Sequence, residues 1–338
     1  MKFVSLLAAS VALGAFVATA HADNDNSYRS TVLVANLQED APLADPLLVN
    51  AWGIAASPTS PWWVSDEATD FSTLYTGVGV KVPLEVEVPG GPTGIVWNGG
   101  SAFEVAPGFP ARFIFATGSG TFLGWNPQVD PTHALEKFSD PGSIYLGLAI
   151  HGDTLYTTDF TECEVEAFDG DWEESEEIEF EDDSIPAGYC PFGIQAIGDS
   201  IFVSYALSGG EEEIAGIGRG VVREFDLEGH LIAEVGSHGR LNAPWGIAMA
   251  PDDFGKFSGC LLVGNFGDGR INAFCKDDEG EWHPAGRLRE GRKDLVVEGL
   301  WGLGFGNGAG SGPTNVLYFA AGPEEETEGY FGKIELVQ

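Results

Sequence analysis

Three oxygen-bearing side chains occupy the same place in three similar segments. Asp66 closes the run Trp62-Trp63-Val64-Ser65, Asp159 closes Leu155-Tyr156-Thr157-Thr158, and Asn265 closes Leu261-Leu262-Val263-Gly264. Carboxylate and amide oxygens suit hard cations such as Ca²⁺, which makes these three the candidate metal ligands. Asp and Asn also end strands and cap turns through their short side chains, and that is the plainer reading of all three. Trp52, Trp245 and Trp301 each precede a Gly-Ile or Gly-Leu step. Such rings either offer a ligand a flat platform or fill a core, and core packing is the commoner use. Tyr205 and Thr117 end two further runs of the same kind.

Other chemistries find less support. The five histidines outside the leader described below, His133, His151, His230, His238 and His283, show no metal-ligand spacing and no H-E-x-x-H. No G-x-S-x-G elbow occurs, and the stretch Gly304-Phe305-Gly306-Asn307-Gly308 precedes no lysine, so it reads as a turn. Cys163, Cys190, Cys260 and Cys275 form no C-x-x-C pair. An even count in an exported chain favours two disulfides. No recognisable catalytic set is present, and the reading leans away from an enzyme.

A repeat must position these residues. Six steps recur roughly 40 to 55 residues apart: Trp52-Gly53-Ile54, Thr93-Gly94-Ile95, Leu146-Gly147-Leu148, Phe192-Gly193-Ile194, Trp245-Gly246-Ile247 and Trp301-Gly302-Leu303. Each is followed by a second apolar run, then a third, and in most units a fourth. Four short strands separated by turn residues describe a propeller blade. The expected fold is an all-β, six-bladed β-propeller. The last unit lacks a fourth strand, and Ser30 to Leu37 belongs to no unit, so this N-terminal strand is expected to complete the last blade and remove two open edges. In an antiparallel blade, the start of strand one and the end of strand two share a face. Trp52, Trp245 and Trp301 are therefore expected near Asp66, Asp159 and Asn265, with Tyr205 and Thr117, around one mouth of the channel. Cys260 opens strand two of the fifth blade and Cys275 closes strand three, which places them opposite each other. A Cys163–Cys190 bridge follows by elimination, with a reactive thiol as the alternative.

Composition bounds the setting. Lys2, an apolar run from Phe3 through Ala20 and the small-x-small site Ala20-His21-Ala22 read as a signal peptide cleaved before Asp23. Residues 23–338 are then one secreted or periplasmic domain. With 52 acidic and 16 basic residues the net charge is -36, which excludes nucleic acid and anionic lipid as partners. The acidic runs 171–183, 211–213 and 324–328 read as solvated loops, with loose cation binding open to them.

The stretches LVNAWGIAASPTSPWWVSD (48–66), GGPTGIVWNG (90–99), FIFATGSGTFLGWNPQVDPT (113–132), APWGIAMAP (243–251), LLVGNFGDGRINAF (261–274), LWGLGFGNG (300–308) and NVLYFAAGP (315–323) closely resemble a family of exported bacterial proteins related in style to NHL-repeat propellers. The resemblance implies export and a propeller. It supplies no catalytic residue, because the family has no established activity. Many members end in a PEP-CTERM sorting segment, whereas this chain stops at Gln338, so no membrane anchor of that kind is expected. Members usually carry alanine at the position of Cys190. The expected function is a monomeric binding or interaction module for a small molecule or protein, with a ligand or cation site at one mouth. The alternatives are a Ca²⁺-assisted hydrolase or lactonase, by analogy of fold alone, and a structural protein of a matrix or surface layer.

Overall fold

The computed structural model describes residues 27–337. The signal-peptide expectation falls on residues 1–22, outside that range. Six antiparallel sheets follow one another along the chain. Blade 1 comprises Ala51–Ala55, Trp62–Asp66, Phe71–Tyr75 and Lys81–Glu87, and blade 2 comprises Pro92–Trp97, Phe113–Thr117, Thr121–Trp125 and Leu135–Ser139. Blade 3 has three strands: Tyr145–His151, Thr154–Asp159 and Glu164–Phe168. Blade 4 runs from Tyr189–Ile197 to Leu231–Ser237, and blade 5 from Pro244–Met249 to Trp282–Arg287. Blade 6 holds Leu300–Phe305, Leu317–Ala321 and Tyr330–Leu336. The N-terminal strand Tyr28–Ala35 lies antiparallel against Tyr330–Leu336, in a register that pairs Tyr28 with Leu336 and Ala35 with Tyr330. The molecule is a six-bladed β-propeller, and its only helical elements among the described residues are two 3-10 turns, Glu67–Thr69 and Gly255–Phe257.

The strand sequences follow from where the strands sit. Middle strands are covered on both faces by neighbouring blades, so they are apolar throughout rather than alternating. Phe113–Thr117 and Leu317–Ala321 are buried at every residue. Outer strands meet solvent on one side, and Lys81–Glu87 accordingly mixes exposed and buried positions. Between the blades lie wedge-shaped cores. One, between blades 6 and 1, packs Val64, Trp62, Tyr75, Tyr318 and Phe331 together.

The glycine of each step has a steric cause. A methyl group on Gly94 would stand 2.6 Å from the Leu148 nitrogen, and one on Gly302 would stand 2.7 Å from the Trp52 carbonyl. The same relation links Gly53 to Thr93, Gly147 to Ile194, Gly193 to Trp245 and Gly246 to Trp301. Each glycine lets one inner strand touch the backbone of the next, and the contacts run once around the ring. Inside that ring the channel narrows to about 30 Å³, lined by Ile54, Ile95, Leu148, Ile194, Ile247 and Leu303. The two disulfides are Cys163–Cys190, joining blades 3 and 4, and Cys260–Cys275, within blade 5. Both pairings are the expected ones, Cys260–Cys275 from strand topology and Cys163–Cys190 by elimination.

Candidate functional site

The three tryptophans meet. Trp52 and Trp301 stack at 3.7 Å between ring centroids, Phe266 stacks on the other side of Trp301 at 4.0 Å, and Trp245 meets both tryptophans edge-on. With Phe160, Phe192, Leu146 and Cys190 they form an apolar plug over one mouth. The indole nitrogens of Trp52 and Trp245 have no hydrogen-bond partner among the described residues.

The polar candidates do not line this mouth as an open site. Asp66, Asp159 and Asn265 are completely buried, as is Thr117, and Tyr205 nearly so. Asn265 accepts the Asn242 amide and donates to the Arg240 carbonyl and to Asp268. Asp159 Oδ1 accepts the backbone amides of Thr161 and Glu162. Both therefore organise turns. Thr117 pairs its hydroxyl with that of Thr121 at 2.7 Å. Tyr205 packs in the core between blades 3 and 4. Asp66 points into the wedge between blades 6 and 1. Neither of its carboxylate oxygens finds a hydrogen bond among the described residues. The physical reason is strand alternation: the last residue of strand two shares the face of Val64 or Thr157, which the preceding blade covers.

Other carboxylates collect above the plug. Trp301 donates its indole N–H to Asn50 Oδ1 at 3.0 Å. Asn50 Nδ2 in turn donates to Glu67 Oε2 and to Glu326 Oε2, each at 3.0 Å. Asn50 adopts a left-handed backbone, φ 46°, which asparagine tolerates better than most residues. Glu67 comes from blade 1 and Glu326 from the last loop of blade 6. Burial pushes the Glu326 carboxyl up, the Glu67 charge adds to this, Asn50 opposes it, and Glu212 adds further. Glu213, from a loop of blade 4, is pushed up to about 7 by burial and by the charges of Glu326 and Glu212, against a backbone hydrogen bond. The charges acting on Glu213 and Glu326 are all those of other carboxylates.

Residues 324–326 all have positive φ, from 53° to 67°. L-residues disfavour this region by roughly 1–2 kcal/mol each, and such strain concentrates at functional sites. Among the described residues no three His, Cys, Asp or Glu groups are placed to hold a metal ion together. The mouth presents carboxylates spread over an aromatic floor instead. Glu213 and Glu326 lie in the acidic runs 211–213 and 324–328, whose composition alone reads as solvated loop. Glu67 directly follows Asp66 and Asn50 stands two residues before Trp52, and neither carries any other local signal.

The larger cavities lie elsewhere. One of about 590 Å³ runs between the outer strands of blades 4 and 5, past Val235, Phe274 and Trp282. Another of about 610 Å³ follows the open edge of blade 3. A third of about 280 Å³, lined by Trp62, Trp97, Gln195 and Asn307, takes in the opposite ends of the inner strands.

Fold and mouth together define a six-bladed propeller with an acidic, aromatic-floored face. No protein-family profile matches the chain. The uncharacterized protein R648 of Acanthamoeba polyphaga mimivirus is 32% identical over 328 residues, covering 91% of this chain and 80% of that protein. The uncharacterized protein L690 of the same virus is 31% identical over 328 residues, covering 91% and 86%. The chain belongs to the family of these two proteins. Among solved structures, virginiamycin B lyase from Staphylococcus aureus superposes with a TM-score of 0.55 at 14% identity, over 92% of this chain and 100% of that one. Hydrazine synthase from Kuenenia stuttgartiensis superposes at 0.53 and 16%, over 81% and 74%. These likenesses are of fold alone.

Proposed function

We propose that this chain is an exported binding propeller whose acidic mouth takes a cationic small molecule. One observation carries the reading. A single buried amide, Asn50, holds carboxylates from blades 1 and 6 beside the Trp301 indole nitrogen, and the charge of Glu326 acts on Glu213 of blade 4. Three loops distant in sequence thus bring like charges together in a half-buried place, at a cost that a bound cation removes. Their spread over three loops suits an extended organic cation with several ammonium groups better than a single metal ion. Two disulfides fit an oxidising compartment and support export through the leader at residues 1–22. The sequence stretches quoted above support membership of the exported bacterial family as well.

The test is a titration with spermidine, and separately with Ca²⁺, followed by tryptophan fluorescence. The double variant Glu67→Gln/Glu326→Gln is expected to weaken spermidine binding about tenfold, whereas the charge-matched Asp278→Asn/Glu279→Gln leaves it unchanged. Affinity should fall as pH drops through about 7, where Glu213 takes up its proton. Equal weakening by both variants means diffuse attraction to an acidic surface and overturns the proposal. Tight binding of Ca²⁺ alone replaces it with a metal site.

A further inference from the structure

Blade 3 starts a fourth strand and abandons it. The Ser175 amide donates to the Ala167 carbonyl at 2.8 Å, and the Asp169 amide donates to the Glu173 carbonyl at 2.9 Å, giving one bridge between Phe168 and Glu174. The chain then turns at Glu176-Glu177 and leaves toward blade 4, where Glu181 meets His230. Because a strand residue points its N–H and C=O the same way, the Ala167 and Asp169 contacts show that odd-numbered residues face outward. The Val165 N–H and C=O and the Ala167 N–H therefore face the gap, and they have no hydrogen-bond partner among the described residues. Four of the other blades fill this place with an outer strand of five to seven residues, and in blade 6 the N-terminal strand Tyr28–Ala35 lies there.

The gap is a groove of about 610 Å³. Its floor is the edge strand, and Ile178 and Phe180 supply apolar wall. Glu164, Glu166, Glu174, Glu176, Glu179 and Glu181 all line it. We infer that this groove is a docking site for an extended, lysine-rich peptide segment of another protein, added to blade 3 as its missing fourth strand. An unpaired edge binds a strand through main-chain hydrogen bonds. The carboxylates select cationic side chains, and the apolar wall suits the methylene stems of lysine. A second copy of this edge is disfavoured as occupant by its own negative charge. The site uses none of the mouth residues, so the two proposals stand or fall separately.

The probe is a fluorescein-labelled oligolysine about five residues long, enough to span the free edge at about 3.3 Å per residue, read by anisotropy. Saturable binding is expected. The same peptide N-methylated at alternate backbone nitrogens keeps its charge but cannot complete the ladder, and should bind about tenfold more weakly. The exposed-site variant Glu164→Gln/Glu176→Gln/Glu179→Gln should lose about tenfold. The charge-matched Asp278→Asn/Glu279→Gln/Glu281→Gln should stay within about twofold of the parent. Equal binding of the two peptides overturns the inference, as does equal loss in both triple variants or the lack of saturable binding. Loss caused by Glu67→Gln/Glu326→Gln would move the peptide to the mouth and also overturn it.

Discussion

Replacing Asp66 by asparagine should stabilise this protein, and more so the higher the pH. Asp66 is completely buried in the wedge between blades 6 and 1, with both carboxylate oxygens lacking a hydrogen bond among the described residues. Burial pushes its acid well above the usual range. The Thr73 hydroxyl opposes this without reaching hydrogen-bond geometry, the Asp45 charge adds to it, and Lys81 pulls the other way. Lys81 is already committed to Asp45 at 2.8 Å, and the Tyr75 hydroxyl donates to that same Asp45 at 2.6 Å. The fold therefore favours the neutral form of the Asp66 acid. A group whose folded pKa is raised contributes stability that is fully present below its unfolded value and lost as pH rises through the folded one. Asparagine mimics the neutral acid at every pH. Urea melts should show Asp66→Asn close to the parent near pH 4. At pH 8 it should be more stable by about 1–3 kcal/mol, because unfolding lets the parent ionise Asp66 while asparagine gains nothing on either side. That difference corresponds to a few degrees in Tm for a domain of this size. The result that refutes the reasoning is an Asp66→Asn protein less stable than the parent at pH 8, with a deficit that grows on adding Ca²⁺. Asp66 would then be a charged cation ligand, as its sequence position first suggested.

Two further outcomes follow from the ring. Gly193→Ala would set a methyl group on the Trp245 carbonyl and should cost about 1–3 kcal/mol in chemical denaturation, whereas Gly118→Ala, with no atom nearer than 3.9 Å, should change stability by less than about 0.5 kcal/mol. Tyr28 is fully buried, donates its hydroxyl to the Phe254 carbonyl at 2.8 Å and packs on that ring at 4.8 Å. Tyr28→Ala should cost about 3–5 kcal/mol and free the N-terminal strand, seen as early protease cleavage near residues 36–40.

The fold was legible because its signals are local. A Gly-Ile or Gly-Leu step repeats at blade length, and the apolar runs behind it have strand length and strand composition. The disulfides were legible for the same reason. Once Cys260 and Cys275 fall on adjacent strands of one hairpin, geometry leaves them little choice. The face of each residue was legible too, since Trp52, Trp245 and Trp301 do meet. What misled was the step from sharing a face to sharing a surface. Asp66 and Asp159 end their strands on the mouth side, but side-chain alternation turns them into wedges that the neighbouring blades seal.

The sequence by itself determined a ring of six blades, because strand period, turn residues and the close approach that demands glycine all act within a few residues or between successive units. Only the tertiary structure decided which carboxylates meet. Glu67 and Glu326 stand at opposite ends of the chain and share one Asn50 amide. The Glu326 charge also acts on Glu213, on the fourth blade. No local pattern encodes that meeting. It depends on the last blade returning to the first, where the Gly302 backbone comes against Trp52. The open edge of blade 3 is likewise a property of the assembled ring, since a missing strand is visible only beside the five blades that have one.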